Sequence, residues 1–303
     1  MTHSLLILFL LIVFQAQAPQ QVKSAKEYFD SGLVRLQKDD VDGAIADMSK
    51  AIELNPRYVD AFFIRSQCLL LKGDGERALL DQNKVIELAP NARGVERVYN
   101  NRSVMRLLKG DIEGALQDLQ KAIELNPNYA DSFSNRGMTR SLQGDQAGAA
   151  SDYEKALALN PNLPAVYINR GILRFERQNL EGAMADFNRA LEIAPKTAKP
   201  YVDRAVLHTL AGEVDLALAD FKKALALDAA SVSEKDPGMA SSPFKRLQSF
   251  ISSNPTNARA YEARGILRLV QRRRSEATQD FTKSLQLDPK LRSEIDRLLS
   301  LTF

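Results

Sequence analysis

Two columns of charged residues recur along this 303-residue chain at a spacing that could do chemistry. Six arginines are each followed sixteen residues later by an aspartate: Arg65–Asp81, Arg102–Asp118, Arg136–Asp152, Arg170–Asp186, Arg204–Asp220 and Arg264–Asp280. Repeated carboxylates could act as general acids or bases, but a catalytic group has no reason to recur in every segment. Gly73 lies eight residues from both partners of its pair, so a helical hairpin that turns there brings them face to face. We therefore predict structural salt bridges between paired helices.

A second cation follows the first arginine by four residues in several segments. These cations are Arg106, Arg140, Arg174, Arg268 and, in register, His208. Positions four apart share a helix face, so two cations face one aspartate. Two interpretations stay open. The second cation is either solvated or bonded to backbone carbonyls, or the column forms a basic ladder for an anionic polymer.

Composition limits the other chemistries. The chain has one Cys, two His and a net charge of +3, from 41 Lys and Arg against 38 Asp and Glu. A single Cys forbids an intramolecular disulfide and any CxxC site, and Cys68 shares its column with apolar residues. The small net charge provides no concentrated basic footprint for nucleic acid. We predict no enzymatic activity, no metal, no cofactor and no nucleic-acid partner.

The N-terminal residues form a separate segment. Leu5 to Phe14 are ten unbroken apolar residues, whereas a membrane-spanning helix needs about 20. Ala16-Gln17-Ala18 then supplies the small-x-small pattern of a signal-peptide cleavage site. We predict residues 1–18 to be a cleaved export signal, which gives a periplasmic or secreted protein without a membrane span. An uncleaved N-terminal anchor, which Pro19 favours, and a cytoplasmic protein with an apolar N-terminus are the alternatives.

Prolines spaced 34 residues apart reveal the elements that position the charged columns. Pro56 and Pro90 have this spacing, as do Pro127, Pro161 and Pro195. A fixed period of this length is typical of stacked repeat proteins. Aligned on the prolines, seven units begin at Ala25, Val59, Glu96, Ala130, Pro164, Ala198 and Ala258. A Gly-Asp or Gly-Glu turn in four units predicts two helices per unit, since Gly ends the first helix and Asp caps the second.

Packing columns recur in register within these units. Every first helix carries an aromatic ring and, four residues later, a small residue, as in Phe133 and Gly137. Every second helix carries an alanine, followed by a large side chain in most units, although the second unit has Gln82 there. This pattern resembles the tetratricopeptide repeat family over all seven units. The resemblance implies an all-α fold, a right-handed α-solenoid of tandem helix–turn–helix repeats.

The repeat alignment also predicts how the chain is organised. Six tetratricopeptide-like repeats occupy residues 25–231, and a seventh occupies residues 258–289. Residues 232–257 are interpreted as a loop and a degenerate half-repeat, with a helix from Phe244 to Ser253, that divides the solenoid into two blocks. Residues 290–303 are predicted to form a C-terminal capping helix, because the last repeat of a solenoid needs its exposed face covered.

The resemblance further implies a function. In this family the first helices line a concave groove that receives extended peptides or partner helices. The matching candidates here are Phe63, Asn101, Asn135, Met138, Ile168, Asn169, Ile172, Val202 and Asp203. Amides can bond a peptide backbone while apolar walls hold side chains, so we predict a non-enzymatic scaffold that binds a protein or peptide partner.

Other interpretations remain open. The chain could bind an anionic polymer along the arginine columns, or it could be the regulatory subunit of an enzyme complex. The candidate groove residues could also serve only to pack first helices against one another.

Overall fold

The computed structural model describes residues 23–232 and 242–301. Over these ranges it contains sixteen α-helices, two short 3-10 helices and no strand, which confirms the predicted all-α fold of helix–turn–helix repeats. No helix within them is long and apolar enough to cross a membrane. The predicted export signal, residues 1–18, lies outside the described residues.

The chain divides into two compact units, one up to Lys109 and one from Gly110. The described part of the first unit contains five helices: α1 (Ala25–Leu36), α2 (Val41–Leu54), α3 (Val59–Leu71), α4 (Gly75–Leu88) and α5 (Glu96–Leu108). Helices α1 and α2 pack as a hairpin, as do α3 and α4, and each hairpin contacts the following helix.

The second unit continues the same pattern and then departs from it. Its repeat helices are α6 (Ile112–Leu125), α7 (Ala130–Gln143), α8 (Gln146–Leu159), α9 (Pro164–Glu176), α10 (Leu180–Ile193), α11 (Lys199–Leu210) and α12 (Val214–Leu227). A 3-10 helix at Ala229–Val232 follows, where the sixth repeat lacks its proline. The remaining helices are α13 (Pro243–Ser253), α14 (Ala258–Val270), α15 (Arg274–Leu287), a 3-10 turn (Pro289–Leu291) and α16 (Arg292–Ser300). The predicted extra helix and C-terminal helix are both present.

Each hairpin turn contains one residue with a positive φ, directly before the cap of the second helix. Gly73, Gly110, Gly144 and Gly212 have φ between 78° and 91°, the left-handed region that glycine enters without strain. In the three other repeats Asp39, Gln178 and Arg272 adopt φ of 58° to 62° at the same point. The aspartates that follow cap the second helices as predicted: Asp74 accepts a hydrogen bond from the Arg77 amide.

Close approach of paired helices explains the column of small residues. A Cβ added at Gly137 would lie 2.7 Å from Cε1 of Tyr153 and 3.2 Å from the carbonyl oxygen of Ala149. The same holds at Gly171, where a Cβ would lie 2.8 Å from the Phe187 ring. The small residue therefore meets the large side chain of the second helix as well as its alanine.

Gln82 occupies the large apolar column in the second repeat and is completely buried. Neither its Oε1 nor its Nε2 has a hydrogen-bond partner among the described residues. Burying an amide without partners costs about 1–3 kcal/mol. Gln82→Leu should therefore raise the free energy of unfolding by about 1–3 kcal/mol in urea titrations, whereas Gln117→Leu, at an exposed position, should leave it within about 0.5 kcal/mol. A destabilised Q82L variant would show that this amide has a partner.

One hydrophobic cluster runs through the C-terminal half of the second unit. It joins side chains of α9, α10, α11 and α12 to Leu247 and Phe250 of α13, Ile266 of α14, Phe281 of α15 and Ile295 of α16. Residues 232–257 were predicted to divide the solenoid into two blocks, and this division stays a prediction. Helix α13, which lies within them, packs in a core to which the fifth, sixth and seventh repeats also contribute.

Candidate partner-binding site

Five of the six predicted arginine–aspartate pairs form salt bridges. Their shortest N–O distances are 2.6–2.7 Å, for Arg65–Asp81, Arg136–Asp152, Arg170–Asp186, Arg204–Asp220 and Arg264–Asp280. The hydrogen bond that Arg170 donates to Asp186 raises the pKa of the guanidinium above its ordinary value. The sixth pair, Arg102–Asp118, has its partners in different compact units and stays a prediction.

The arginines of this column also contact further groups. In all six, the guanidinium lies 5.5–5.7 Å from the centroid of the aromatic ring three residues earlier, as Arg136 does from Phe133. In five of them (Arg65, Arg102, Arg136, Arg204 and Arg264) the Nη1 donates to a polar side chain of the preceding helix, as from Arg136 to Gln120 Oε1 at 2.8 Å. Arg204 donates likewise to Asn188 at 2.8 Å. The first arginine column is therefore occupied in holding helices together.

The second arginine column bonds the same aspartates. Arg140 lies 2.8 Å from Asp152, Arg174 lies 2.8 Å from Asp186, and Arg268 lies 2.7 Å from Asp280. Arg174 also donates to the Gly182 carbonyl at 3.2 Å, as the carbonyl-bonded interpretation requires. In the first repeat, Arg35 takes this second position and bonds Asp47 at 2.8 Å, a pair that the sequence analysis missed.

Two crevices open between a second helix and the following first helix. One, of about 520 Å³, lies between α10 and α11 and is lined by Met184, His208 and Glu213 among others. His208 Nδ1 lies 2.6 Å from Glu213 Oε2 there. The other, of about 450 Å³, lies between α6 and α7 around Arg136 and Arg140. Since both occur at the same register, they follow from the repeat geometry.

The predicted groove residues differ widely in exposure. In the first unit Phe63 and Asn101 are partly exposed, and Asn101 donates to Gln67 Oε1 at 3.4 Å. In the second unit the predicted residues lie on the first helices α7, α9 and α11. We call this set the first-helix face: Asn135, Met138, Ile168, Asn169, Ile172, Val202 and Asp203.

The first-helix face is open at one end and covered at the other. Asn135, Met138, Ile168 and Asn169 are partly exposed. Ile172, Val202 and Asp203 are 6%, 0% and 4% exposed, respectively. The role of these three buried residues in partner binding stays a prediction.

Helix α13 covers this end of the face at Asp203, and α14 also packs against α11. The Phe250 ring of α13 lies 5.7 Å from the Phe175 ring of α9, and its Arg246 forms an ion pair with Asp203 of α11. The position of α13 along the chain agrees with the helix predicted from Phe244 to Ser253, but its packing on this face was not predicted. One signal in the sequence could have indicated this packing. Asp203 is an acid in the column where Asn101, Asn135 and Asn169 are amides, and a buried acid needs a cation beside it.

Comparison with known proteins agrees with this geometry. A family model described as TPR repeat matches residues 105–144, and one described as tetratricopeptide repeat matches residues 29–93 and 135–198. Together they span more than half of the chain. The chain belongs to the tetratricopeptide repeat family.

Solved tetratricopeptide structures share the fold. A tetratricopeptide repeat protein from Parabacteroides merdae is 20% identical, with a TM-score of 0.58 over 91% of this chain and 97% of that one. PilF of Pseudomonas aeruginosa is 22% identical, with a TM-score of 0.58 over 67% of this chain and 91% of that one. At these identities the likeness concerns the fold alone.

A curated relative matches only part of the chain. An uncharacterized protein of Methanocaldococcus jannaschii is 39% identical over 54 residues, which are 18% of this chain. The match spans 63% of that relative's length. This relative therefore points to no activity.

Proposed function

We propose that this chain is a non-enzymatic scaffold that binds a protein segment on the open end of the first-helix face. The observation that carries the proposal is the side-chain amide of Asn169, which is partly exposed and has no hydrogen-bond partner among the described residues. An amide has two donors and an acceptor, which can pair with the polar side chains or free backbone groups of a bound segment. Ile168 beside it supplies an apolar wall.

Helix α7 extends the same surface. Met138 is partly exposed and Leu142, four residues later, is 41% exposed. Positions four apart lie on one helix face. Together with Ile168 and Asn169 of the neighbouring helix α9, these side chains offer both apolar contact and hydrogen bonding to a bound segment.

The charged columns support a scaffold over the alternatives. The paired aspartates accept hydrogen bonds from arginines, so their oxygens are already used in joining helices. Three second-column arginines, Arg140, Arg174 and Arg268, are neutralised by the same carboxylates, which weakens the case for an anionic polymer. The tetratricopeptide family is in general non-enzymatic, and no feature of the described residues favours a regulatory subunit over a free-standing scaffold.

Export by residues 1–18 remains part of the proposal. It rests on the apolar run from Leu5 to Phe14 and the cleavage pattern that follows it. The partner would then be a protein of the periplasm or of the extracellular medium. The uncleaved N-terminal anchor is the alternative.

Asn169→Ala tests the site. Removing the amide should weaken partner binding by about 1–3 kcal/mol, because a polar group of the bound segment would lose its hydrogen bond on being buried. Titration calorimetry with the partner measures the loss, and circular dichroism should show unchanged helix content. Asn162→Ala, an exposed asparagine of the same unit, is the matched control and should bind as the wild type does. Unaltered affinity of a folded N169A variant would place the site elsewhere.

A further inference from the structure

Helix α13 lies on the first-helix face as a ligand would lie on a docking groove. It contacts two first helices, α9 through Phe250 and Phe175, and α11 through Arg246 and Asp203. Asp203 is in the same column as Asn169, the residue on which partner binding is proposed. The face that α13 covers is therefore continuous with the face left open.

The buried side of α13 has a definite anchor pattern. Phe244, Leu247, Phe250 and Ile251 are 8%, 0%, 8% and 4% exposed, respectively. Their spacing of three and four residues makes one apolar face of a helix. On the opposite side, Lys245, Gln248 and Ser249 are exposed. Helices that bind in grooves present this type of amphipathic face.

A single ion pair gives the contact its specificity. Asp203 is 4% exposed and Arg246 is 4% exposed. A buried carboxylate is costly without a cation, so only a helix that carries a guanidinium at this point fits the site. The second oxygen of Asp203, Oδ2, has no hydrogen-bond partner among the described residues. The internal helix therefore satisfies the carboxylate incompletely.

Helix α13 also supports the seventh repeat. Its Gln248 accepts a hydrogen bond from Arg264 of α14, as Asn188 of α10 accepts one from Arg204 of α11. Thus α13 takes the place of the second helix that normally precedes a repeat. Displacing it would loosen α14, which sets a cost that a competing helix must overcome.

We propose that α13 is an internal competitor that blocks one end of the partner-binding face. The partner class that this end accepts is an amphipathic helix with apolar anchors three and four residues apart and one arginine between the first two. This inference rests on the proposed function and adds the partner class and its regulation. Because the face is occupied in the free protein, the apparent affinity of a partner equals its intrinsic affinity multiplied by the fraction of molecules in which α13 is displaced.

Charge reversal in the full chain tests the competition. The probe is a fluorescent peptide with the sequence of residues 242–254. The Arg246→Glu variant should bind it at least tenfold more tightly than the wild type, because repulsion from Asp203 removes the internal helix while the peptide supplies its own arginine. The double variant Asp203→Arg with Arg246→Glu restores an internal ion pair and should bind the peptide as weakly as the wild type.

A control peptide carrying Glu in place of Arg246 should not bind the R246E variant. Equal binding of both peptides, or no gain in the variant over the wild type, would overturn the competition. Either result leaves the N169A measurement unaffected, so failure of the competition and failure of the proposed function are distinguishable.

Hydrogen exchange of the wild-type chain is a second measurement that needs no variant. If α13 competes, its amides should exchange through a partial opening at least tenfold faster than those of α11, which lies beneath it. Equal protection of the two helices would show that α13 opens only when the whole unit unfolds. That result would overturn the proposal even if the R246E variant did not fold.

Discussion

Replacing Asp186 by Ala should lower the free energy of unfolding by about 3 kcal/mol. The carboxylate is 2% exposed and accepts three hydrogen bonds, from Arg170 Nε at 3.0 Å, Arg170 Nη2 at 2.7 Å and Arg174 Nη1 at 2.8 Å. Its loss leaves two cations without their common partner, and breaking a buried pair by removing one member costs about 3–5 kcal/mol. Both arginines keep some contact with water, which places the expected loss at the lower end of that range.

Glu192 of the same helix offers the matched control. It pairs with Arg189 at 2.8 Å, but its side chain is 63% exposed. An exposed pair contributes about 0–1 kcal/mol, so Glu192→Ala should be nearly neutral in the same urea titration. Equal effects of the two substitutions would mean that the repeated aspartates are not structural, and their catalytic interpretation would need to be reopened.

The second large effect is a pH dependence centred on Glu262. This residue is completely buried in α14, and burial raises the pKa of its carboxyl from 4.5 to about 7. Arg259, which lies 2.6 Å away, opposes the shift, and the nearby Glu294 adds to it. The folded chain therefore binds a proton more tightly than the unfolded chain does.

The sign of the effect follows from this difference. Stability due to the raised pKa is fully present below about pH 4.5, and it is lost as the pH rises through about 7. At pH 8 the buried charge costs about 3 kcal/mol. The E262Q variant should therefore be about 3 kcal/mol more stable than the wild type at pH 8 and close to it at pH 4. Parallel stability curves for the two proteins from pH 4 to 8 would contradict this account.

The hairpins could be predicted from the sequence because every determinant is local. The glycine that enters the left-handed region, the aspartate that caps the second helix and the proline that ends it all recur within one 34-residue period. Register within a hairpin follows directly, and for this reason pairs such as Arg136–Asp152 could be assigned before any coordinates. The 34-residue period tells which residues of the two helices face each other. In a fold without repeats, that information would have to come from known long-range contacts.

The position of α13 could not be predicted because the period ends before it. Residues 232–257 contain one helix where a repeat would have two, so no register connects α13 to its neighbours. Its amphipathic pattern indicates that it must bury one face, but not which surface receives that face. Asp203 was grouped with the amides of its column, although its charge required a cation such as Arg246 to be buried beside it. Gln82 differs from Asp203. Its place in the large apolar column was predicted correctly, but no described residue is positioned to bond its buried amide.

Site-specific photocrosslinking in the native compartment tests the central claim most directly. A photoreactive amino acid at Leu142, on α7, should capture a protein partner, and Asn169→Ala in the same chain should reduce the yield. The control position is Leu216 on the second helix α12, which is 54% exposed against 41% for Leu142. We expect capture from Leu142 and none from Leu216. Capture of the same protein from Leu216 alone, or a yield from Leu142 that Asn169→Ala leaves unchanged, would contradict binding on the first-helix face.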